Sequence, residues 1–406
     1  MTEPHSADPS DFAGGTPSLL RAINERTVLE AVRRLGAASR SQVAEVTALS
    51  KPTVSQALAG LLAARLVREA GRTSGLQGRT AQLYELNAAA GWVLGLDVGR
   101  DRVRAAVADL NGHIAARRDE RARVRSARTL IEQIGEVGRG VVAEAKVPRR
   151  RVTHATIGSP GVFEPTRRKL TLAESLPGWG RSGVIEALQE ELGVQVSIEN
   201  DVNVATVGEQ LHGLGKGIPN FVFLHVGVGV GLGLVLDGRL FRGARGAAGE
   251  VGYLPFGDEM PALPVKTHKR DELGVTVGSE GVVAEARRLG MKGRLTARSV
   301  FAAARRSDPV ARKVVDVEAA RIARTIAAVV PVVDPELVVL GGGIGRNGDL
   351  LLEPIRAELR SAVFHPRIEA SALGEDGPVL GAVALALDQA QERLFSRAEG
   401  RGGIVV

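Results

Sequence analysis

The sequence predicts an α/β protein in two parts: a small N-terminal unit of helices closed by a β-hairpin, then a larger region of two repeated α/β lobes. Three observations carry this. Helical periodicity fills residues 18 to 62 and gives way to two strands around a tip rich in glycine and arginine. From Gly91 the texture changes to strands with glycine turns. A strand that ends in a glycine loop, followed by a hairpin, occurs near Trp92 and again near Phe221.

The first helix is expected from about Ser18 to Leu35, with Leu19, Leu20, Ile23, Val28, Leu29 and Val32 on its apolar face. The second opens at Ser39, which forms a capping-box pair with Gln42, and ends near Ala48. Ser50 is a good N-cap for the third, and Pro52 sits in its first turn, where a missing N–H costs nothing. Val54, Leu58, Leu61 and Leu62 share the inward face. Lys51, Thr53, Ser55 and Gln56 are left exposed near the N-terminal end, and such side chains contact phosphates and base edges. A strand from Leu66-Val67, a tip over Gly71–Thr80 and a second strand through Asn87 form a wing, with Arg72 and Arg79 placed to reach a phosphate or minor groove. Cap, three-residue turn, recognition helix and basic wing, in that order, describe a winged helix-turn-helix over residues 18–88 that binds DNA. A small helical dimerisation domain with a solvated hairpin is the alternative.

The larger region is expected over residues 91–395, its second lobe beginning near 220. Strands are read at Trp92–Asp97, Arg102–Asp109 and after the Asn111-Gly112 turn. The related set is Phe221–Val226, Gly231–Leu236 and the strand after Asp237-Gly238. Helices fit Thr129–Ala145, Val184–Leu192 and Pro309–Val329, a strand at Pro335–Leu340 enters the loop Gly341–Gly345, and a helix follows from Asn347 or Gly348 to Arg360. Two such lobes with glycine loops facing a cleft suggest the actin-like (ribonuclease H-like, sugar-kinase-type) fold. Another doubly wound α/β protein is also compatible with this pattern. A dinucleotide turn at Gly341–Gly345 lacks the early βαβ unit it needs.

The chain has 406 residues and no cysteine, which excludes disulfides, thiolate zinc sites and cysteine nucleophiles. The 44% apolar content supports two or three cores, and with 3% aromatics these must be aliphatic. The net charge of +7 suits a polyanionic partner. Residues 1–17 are read as a disordered leader without the basic patch and apolar run of a signal peptide, and residues 396–406 as a tail. No segment reaches the length of a membrane span, so a cytoplasmic protein is expected.

Five stretches then match a known pattern in order: Ile157–Gly161, Leu176–Trp179, Glu199–Asn203, Gly243–Gly252 and Val339–Ile344. With the wing helix before them, they make the chain resemble the ROK family of repressors and sugar kinases over nearly its whole length. In the kinases of that family the Asp of the E-N-D-x-N run is the general base for a sugar hydroxyl. The resemblance places Asp201 there, beside Asn200 as a sugar contact. It implies ligand-binding roles for Glu250 and Glu280, and for Ser159, Pro160 and Gly161 in the loop that borders the sugar. The bare alternative is that Asn200 and Asp201 cap a turn.

The departures are as informative. Family kinases open with D-x-G-G-T, and here Asp97-Val98-Gly99-Arg100-Asp101 replaces the second glycine and the threonine. The second phosphate loop, G-T-G, is Gly227-Val228-Gly229. No useful kinase activity is therefore expected, and Asp201 is read as a binding residue. Tyr253 stands at the zinc-ligating His position, and Asp271, Leu273 and Gly278 align with the cysteines, so no metal is expected. The charged run Lys266–Glu272 takes the place of the zinc-braced loop. The expected protein is a transcriptional repressor of carbohydrate-related genes that binds an operator and a sugar or derivative. It needs no cofactor and acts as a homo-oligomer, a dimer or dimer of dimers. The alternatives are an active sugar kinase with a DNA-binding domain and a ligand-blind DNA-binding dimer.

Overall fold

The computed structural model describes residues 17–74, 80–164, 167, 169–173, 175–254 and 276–398. The leader through residue 16, Arg79, Lys266–Glu272 and residues 399–406 lie outside them.

Helix α1 (Pro17–Leu35) leads through the short strand β1 (Ala38–Ser39) to α2 (Arg40–Thr47). The Ser39 hydroxyl accepts from the Gln42 N–H, and the Gln42 side chain accepts from the Ser39 N–H at 2.9 Å, a complete capping box. Ala48 turns the chain at a φ of 56°. Ser50 then caps α3 (Lys51–Ala63), accepting from the Thr53 N–H at 3.2 Å. Strands β2 (Val67–Ser74) and β3 (Thr80–Leu86) form an antiparallel hairpin, and β1 pairs with the free edge of β3. Val28, Val32, Val54, Leu58, Leu61 and Tyr84 share one buried cluster. Leu20 and Ile23 do not join it; they are 55% and 52% exposed. Of the described side chains on the expected apolar face of α1, those buried, Val28, Leu29 and Val32, lie in its C-terminal half.

The first lobe begins with the meander β4 (Trp92–Val98), β5 (Arg102–Asp109) and β6 (Ile114–Arg121). Helix α4 (Ala127–Glu144) crosses to β7 (Val152–Ser159), which lies parallel to β4. A small hairpin, β8 (Val162–Glu164) with β9 (Lys169–Thr171), precedes α5 (Val184–Leu192), β10 (Gln195–Asn200) and α6 (Asp201–His212). The second lobe repeats the plan. It has β11 (Phe221–Val226), β12 (Val230–Leu236) and β13 (Arg239–Phe241), then α7 (Ser279–Arg288), α8 (Ala297–Arg305) and α9 (Pro309–Val333). After these come β14 (Leu337–Gly341), α10 (Gly342–Gly345), α11 (Gly348–Glu358), β15 (Arg367–Ala370) and α12 (Gly377–Ala398).

The two five-stranded sheets run β10-β7-β4-β5-β6 and β13-β12-β11-β14-β15. Numbered from its own first strand, each has the order 3-2-1-4-5, so the duplication read from the sequence is present in strand connectivity. Helix α9 runs past the expected end at Val329, because Pro331 falls in its last turn, where one lost hydrogen bond is tolerated. The Gly341–Gly345 stretch is a strand end and a short helix, not an open loop. Helix α12 returns to the first lobe and packs on α6, β4 and β7. Its Val379, Val383, Leu387 and Ala390 are buried in the same cluster as Val28 and Leu58. The N-terminal unit and the first lobe therefore share a continuous core.

Candidate functional site

The two lobes meet around α6, whose Val202 and Ala205 pack with Phe221 and Phe223 of β11, and the expected ligand residues gather about its first turn. Asn200 caps that helix: its side-chain oxygen accepts from the N–H groups of Val202 and Asn203 at 2.9 and 3.2 Å. Its amide donates to the Gly161 carbonyl at 3.1 Å. The capping role and the meeting with Gly161 are thus held by one side chain. The Asp201 carboxylate accepts from the Val202 N–H at 2.9 Å. Burial pushes its carboxyl above the ordinary range, and His225 opposes that rise.

The other expected ligand residues are distributed unevenly. Ser159 has no exposed surface. Its hydroxyl accepts from the Trp179 indole at 2.9 Å and donates to the Pro160 carbonyl at 3.2 Å. Its hydroxyl is thus engaged on both sides within the Ser159–Gly161 loop region, by Trp179 and by the Pro160 carbonyl. Glu250 is half-buried at the start of a short 3-10 turn, Val251–Tyr253. Glu280 is exposed in the first turn of α7. That turn is tied to the glycine loop after β11, since the Ser279 N–H and hydroxyl both donate to the Gly227 carbonyl, at 2.9 and 3.0 Å.

Sequence reading missed three groups. Glu199 accepts from Asn203 at 2.9 Å and from Arg242 of the second lobe at 2.6 Å, so it joins the lobes beside the cap of α6. Arg104 donates to Asp97 at 3.0 Å and pairs with Glu375, which holds Arg346 at 3.2 Å. His225 lies near the end of β11, on the strand face that Phe221 and Phe223 present to α6. Two of these carried a signal: Glu199 opens the run that holds Asn200 and Asp201, and His225 continues the Phe221, Phe223 alternation with a titratable ring.

In the N-terminal unit, Lys51 and Gln56 are exposed and Thr53 and Ser55 half-buried on α3. The Thr53 hydroxyl lies 2.8 Å from that of Ser50, inside the cap. Arg72 is exposed on β2, and its Nε donates to Gln82 at 3.4 Å. Tyr253 is 53% exposed. With no cysteine anywhere in the chain, the donor set for the zinc of the resemblance does not fit.

The chain is similar to known proteins at two lengths. A xylose repressor of Caldicellulosiruptor bescii is 26% identical over 391 residues, covering 92% of this chain and 97% of that protein. A glucokinase of Halalkalibacterium halodurans is 30% identical over 316 residues, covering 71% of this chain and 93% of its own. The structure of a ROK family transcriptional regulator, a homologue of the E. coli MLC protein, shares the fold with a TM-score of 0.76. It is 19% identical, over 94% of this chain and 99% of that one. The ROK family model matches residues 93–389, which take in both lobes and the cleft between them, and the chain belongs to the ROK family.

Proposed function

We propose that this chain is a DNA-binding transcriptional repressor whose ROK region senses a sugar or sugar derivative. One observation carries the reading: the ROK match starts at residue 93, and a three-helix unit with side-chain caps on α2 and α3 and a hairpin precedes it. The xylose repressor relative spans 92% of the chain, against 71% for the glucokinase. The preceding unit is read as a winged helix-turn-helix with α3 in the major groove. Lys51, Thr53, Ser55 and Gln56 contact phosphates and base edges there, and Arg72 and Arg79 on the wing contact the backbone or minor groove. A homodimer presents two such helices to half-sites about one helical turn apart.

The sugar site is read at Gly161, Asn200, Asp201, Glu250 and Glu280, where carboxylates and an amide can address several hydroxyls together. The name of the repressor relative makes D-xylose the first ligand to try. Phosphoryl transfer is not part of this reading. Arg100, Asp101 and Val228 replace the phosphate-loop residues of the kinases, and Arg104 already engages Asp97.

Gel shift on genomic fragments, with and without D-xylose and other sugars, tests the reading. At least one fragment should be retained at physiological salt, and one sugar should change its retention. No specific fragment retained would overturn it. Sugar-dependent ADP release, abolished by Asp201→Asn, would return the kinase.

A further inference from the structure

Strand β11 presents two faces. Val222, Leu224 and Val226 enter the core of the second lobe, while Phe221 and Phe223 pack with Val202 and Ala205 of α6. His225 continues the second face and pairs in register with Gly231 on β12. Gly231 is also where α6 lands: a Cβ there would meet the Val202 side chain at 2.8 Å. Asp201 precedes Val202, so this packing brings the Asp201 carboxylate towards His225. The His225 Nε2 sits between the Gly227 loop and the start of α10. A Cβ on Gly227 would meet it at 2.7 Å, and one on Gly342 at 3.0 Å.

Asp201 and His225 feel each other without forming an ion pair. Burial lowers the affinity of the imidazole for a proton, and the Asp201 carboxylate opposes that. Among the described residues, no hydrogen bond reaches either ring nitrogen of His225. An acceptor and a neutral ring with one N–H donor therefore stand close together, flanked by Gly227 and Gly342. Other charged groups among the described residues of this region are Asp97 from β4, Arg104 from β5 with Asp119 from β6, Glu375 before α12, Arg346 after α10, and the Glu199–Arg242 pair beside the cap of α6.

We propose that His225 is a recognition residue of this cleft, bracketing with Asp201 one hydroxyl of an unphosphorylated sugar. This rests on the sugar-sensing reading above. A hydroxyl has one proton to donate and lone pairs to accept with, so it donates to Asp201 and accepts from the imidazole. A phosphate ester, mostly dianionic at neutral pH, has little proton to give Asp201 and would bring a further anion beside Asp97 and Asp201. Arg104 does not relieve that repulsion, because Asp97 and Glu375 already hold it. The ring of His225 also takes the volume beneath Gly227 and Gly342. The site is thus selective for the free hydroxyl over its phosphate ester.

The test is titration calorimetry on the full chain with D-xylose, D-glucose, their monodeoxy analogues and D-glucose 6-phosphate. Wild type, His225→Ala and His225→Asn are compared. Wild type should bind a neutral sugar and lose roughly tenfold with one deoxy analogue; where that analogue is 6-deoxyglucose, it should also bind D-glucose 6-phosphate roughly tenfold more weakly than glucose. His225→Ala should lose about tenfold for the parent sugar yet match wild type for that one analogue, because the bracketed hydroxyl is already missing. His225→Asn, which keeps a donor, should recover part of the loss. Unchanged affinity in His225→Ala overturns the proposal. So does an equal loss for every analogue without rescue by Asn, or tighter binding of the phosphate. If wild type binds no sugar, the sugar-sensing reading fails and takes this inference with it. If wild type binds and the variants do not differ, His225 alone is dismissed.

Discussion

Asp97 and Arg104 stand directly opposite each other in the β4–β5 ladder, and the guanidinium donates to the carboxylate at 3.0 Å. Through Glu375 the same arginine reaches Arg346 of the second lobe. Arg104→Ala leaves the Asp97 carboxylate buried without its cation. The unfolding free energy should fall by roughly 2–4 kcal/mol at pH 7, as read by urea denaturation. Adding Asp97→Asn should recover part of that loss. An unchanged midpoint in Arg104→Ala would mean that the pair contributes nothing.

The same carboxyl makes stability depend on pH. Burial lifts Asp97 from 3.8 to about 6, even against the pull of Arg104. Its proton is held more tightly in the folded chain, so its contribution is full at low pH and is lost as pH rises through about 6. Asp97→Asn should remove a slope worth roughly 2–3 kcal/mol between pH 4 and 7. Thermal melts across that range check it; parallel curves for variant and wild type would contradict it.

Glu318 on α9 gives a second, separate slope. Its side chain is fully buried; one oxygen accepts from the Gly278 N–H at 2.9 Å, and the other has no hydrogen-bond partner. Burial raises its carboxyl to about 7, opposed by the Gly278 N–H and Arg321. Wild type should lose stability as pH rises through about 7, and Glu318→Gln should not. The variant should therefore gain on wild type between pH 5 and 8, by roughly 2 kcal/mol. No gain at pH 8 would contradict the assignment.

Helices α6 and α12 touch at Gly381, where an added Cβ would strike the Val204 carbonyl and the Gly208 nitrogen. Backbone cannot yield as a flexible side chain does. Gly381→Ala should cost about 3 kcal/mol or more by forcing the helices apart. A melting temperature within a degree or so of wild type would show that the crossing relaxes freely.

For the DNA reading, Gln56→Ala should relax sequence preference at one operator position, costing about 1–3 kcal/mol on the preferred base. Arg72→Ala should weaken binding to all sequences alike and reduce the salt slope by about one. Gel shifts against single-base operator variants at several salt concentrations separate the two. If Gln56→Ala keeps full specificity, the register assigned to α3 is wrong.

Much of the architecture was legible because its signals are local. Ser39 with Gln42, and Ser50 with Pro52, announce helix starts within four residues of where they act. The repeated strand-and-glycine texture announced the second lobe. The cleft was only half legible. Asn200 and Asp201 stood out through the run that contains them, and the structure brings Asn200 to Gly161. Ser159 stood out equally, yet its hydroxyl is spent on Trp179, twenty positions away. Leu20 and Ile23 carried the right period but had nothing to pack against.

By itself the sequence determined the order of elements, their caps, the aliphatic cores and the absence of thiolate chemistry. Those properties depend on neighbours a few residues apart, or on composition alone. Only the tertiary structure decided which charges meet. Arg104 and Glu375 are 271 residues apart, and Arg104 reaches it only once β5 is in register and α12 has folded back onto the first lobe. The approach of Asp201 to His225 likewise needs α6 seated on Gly231. Helical and strand periodicity set which face a side chain takes; they carry no information about what a second lobe will place opposite it.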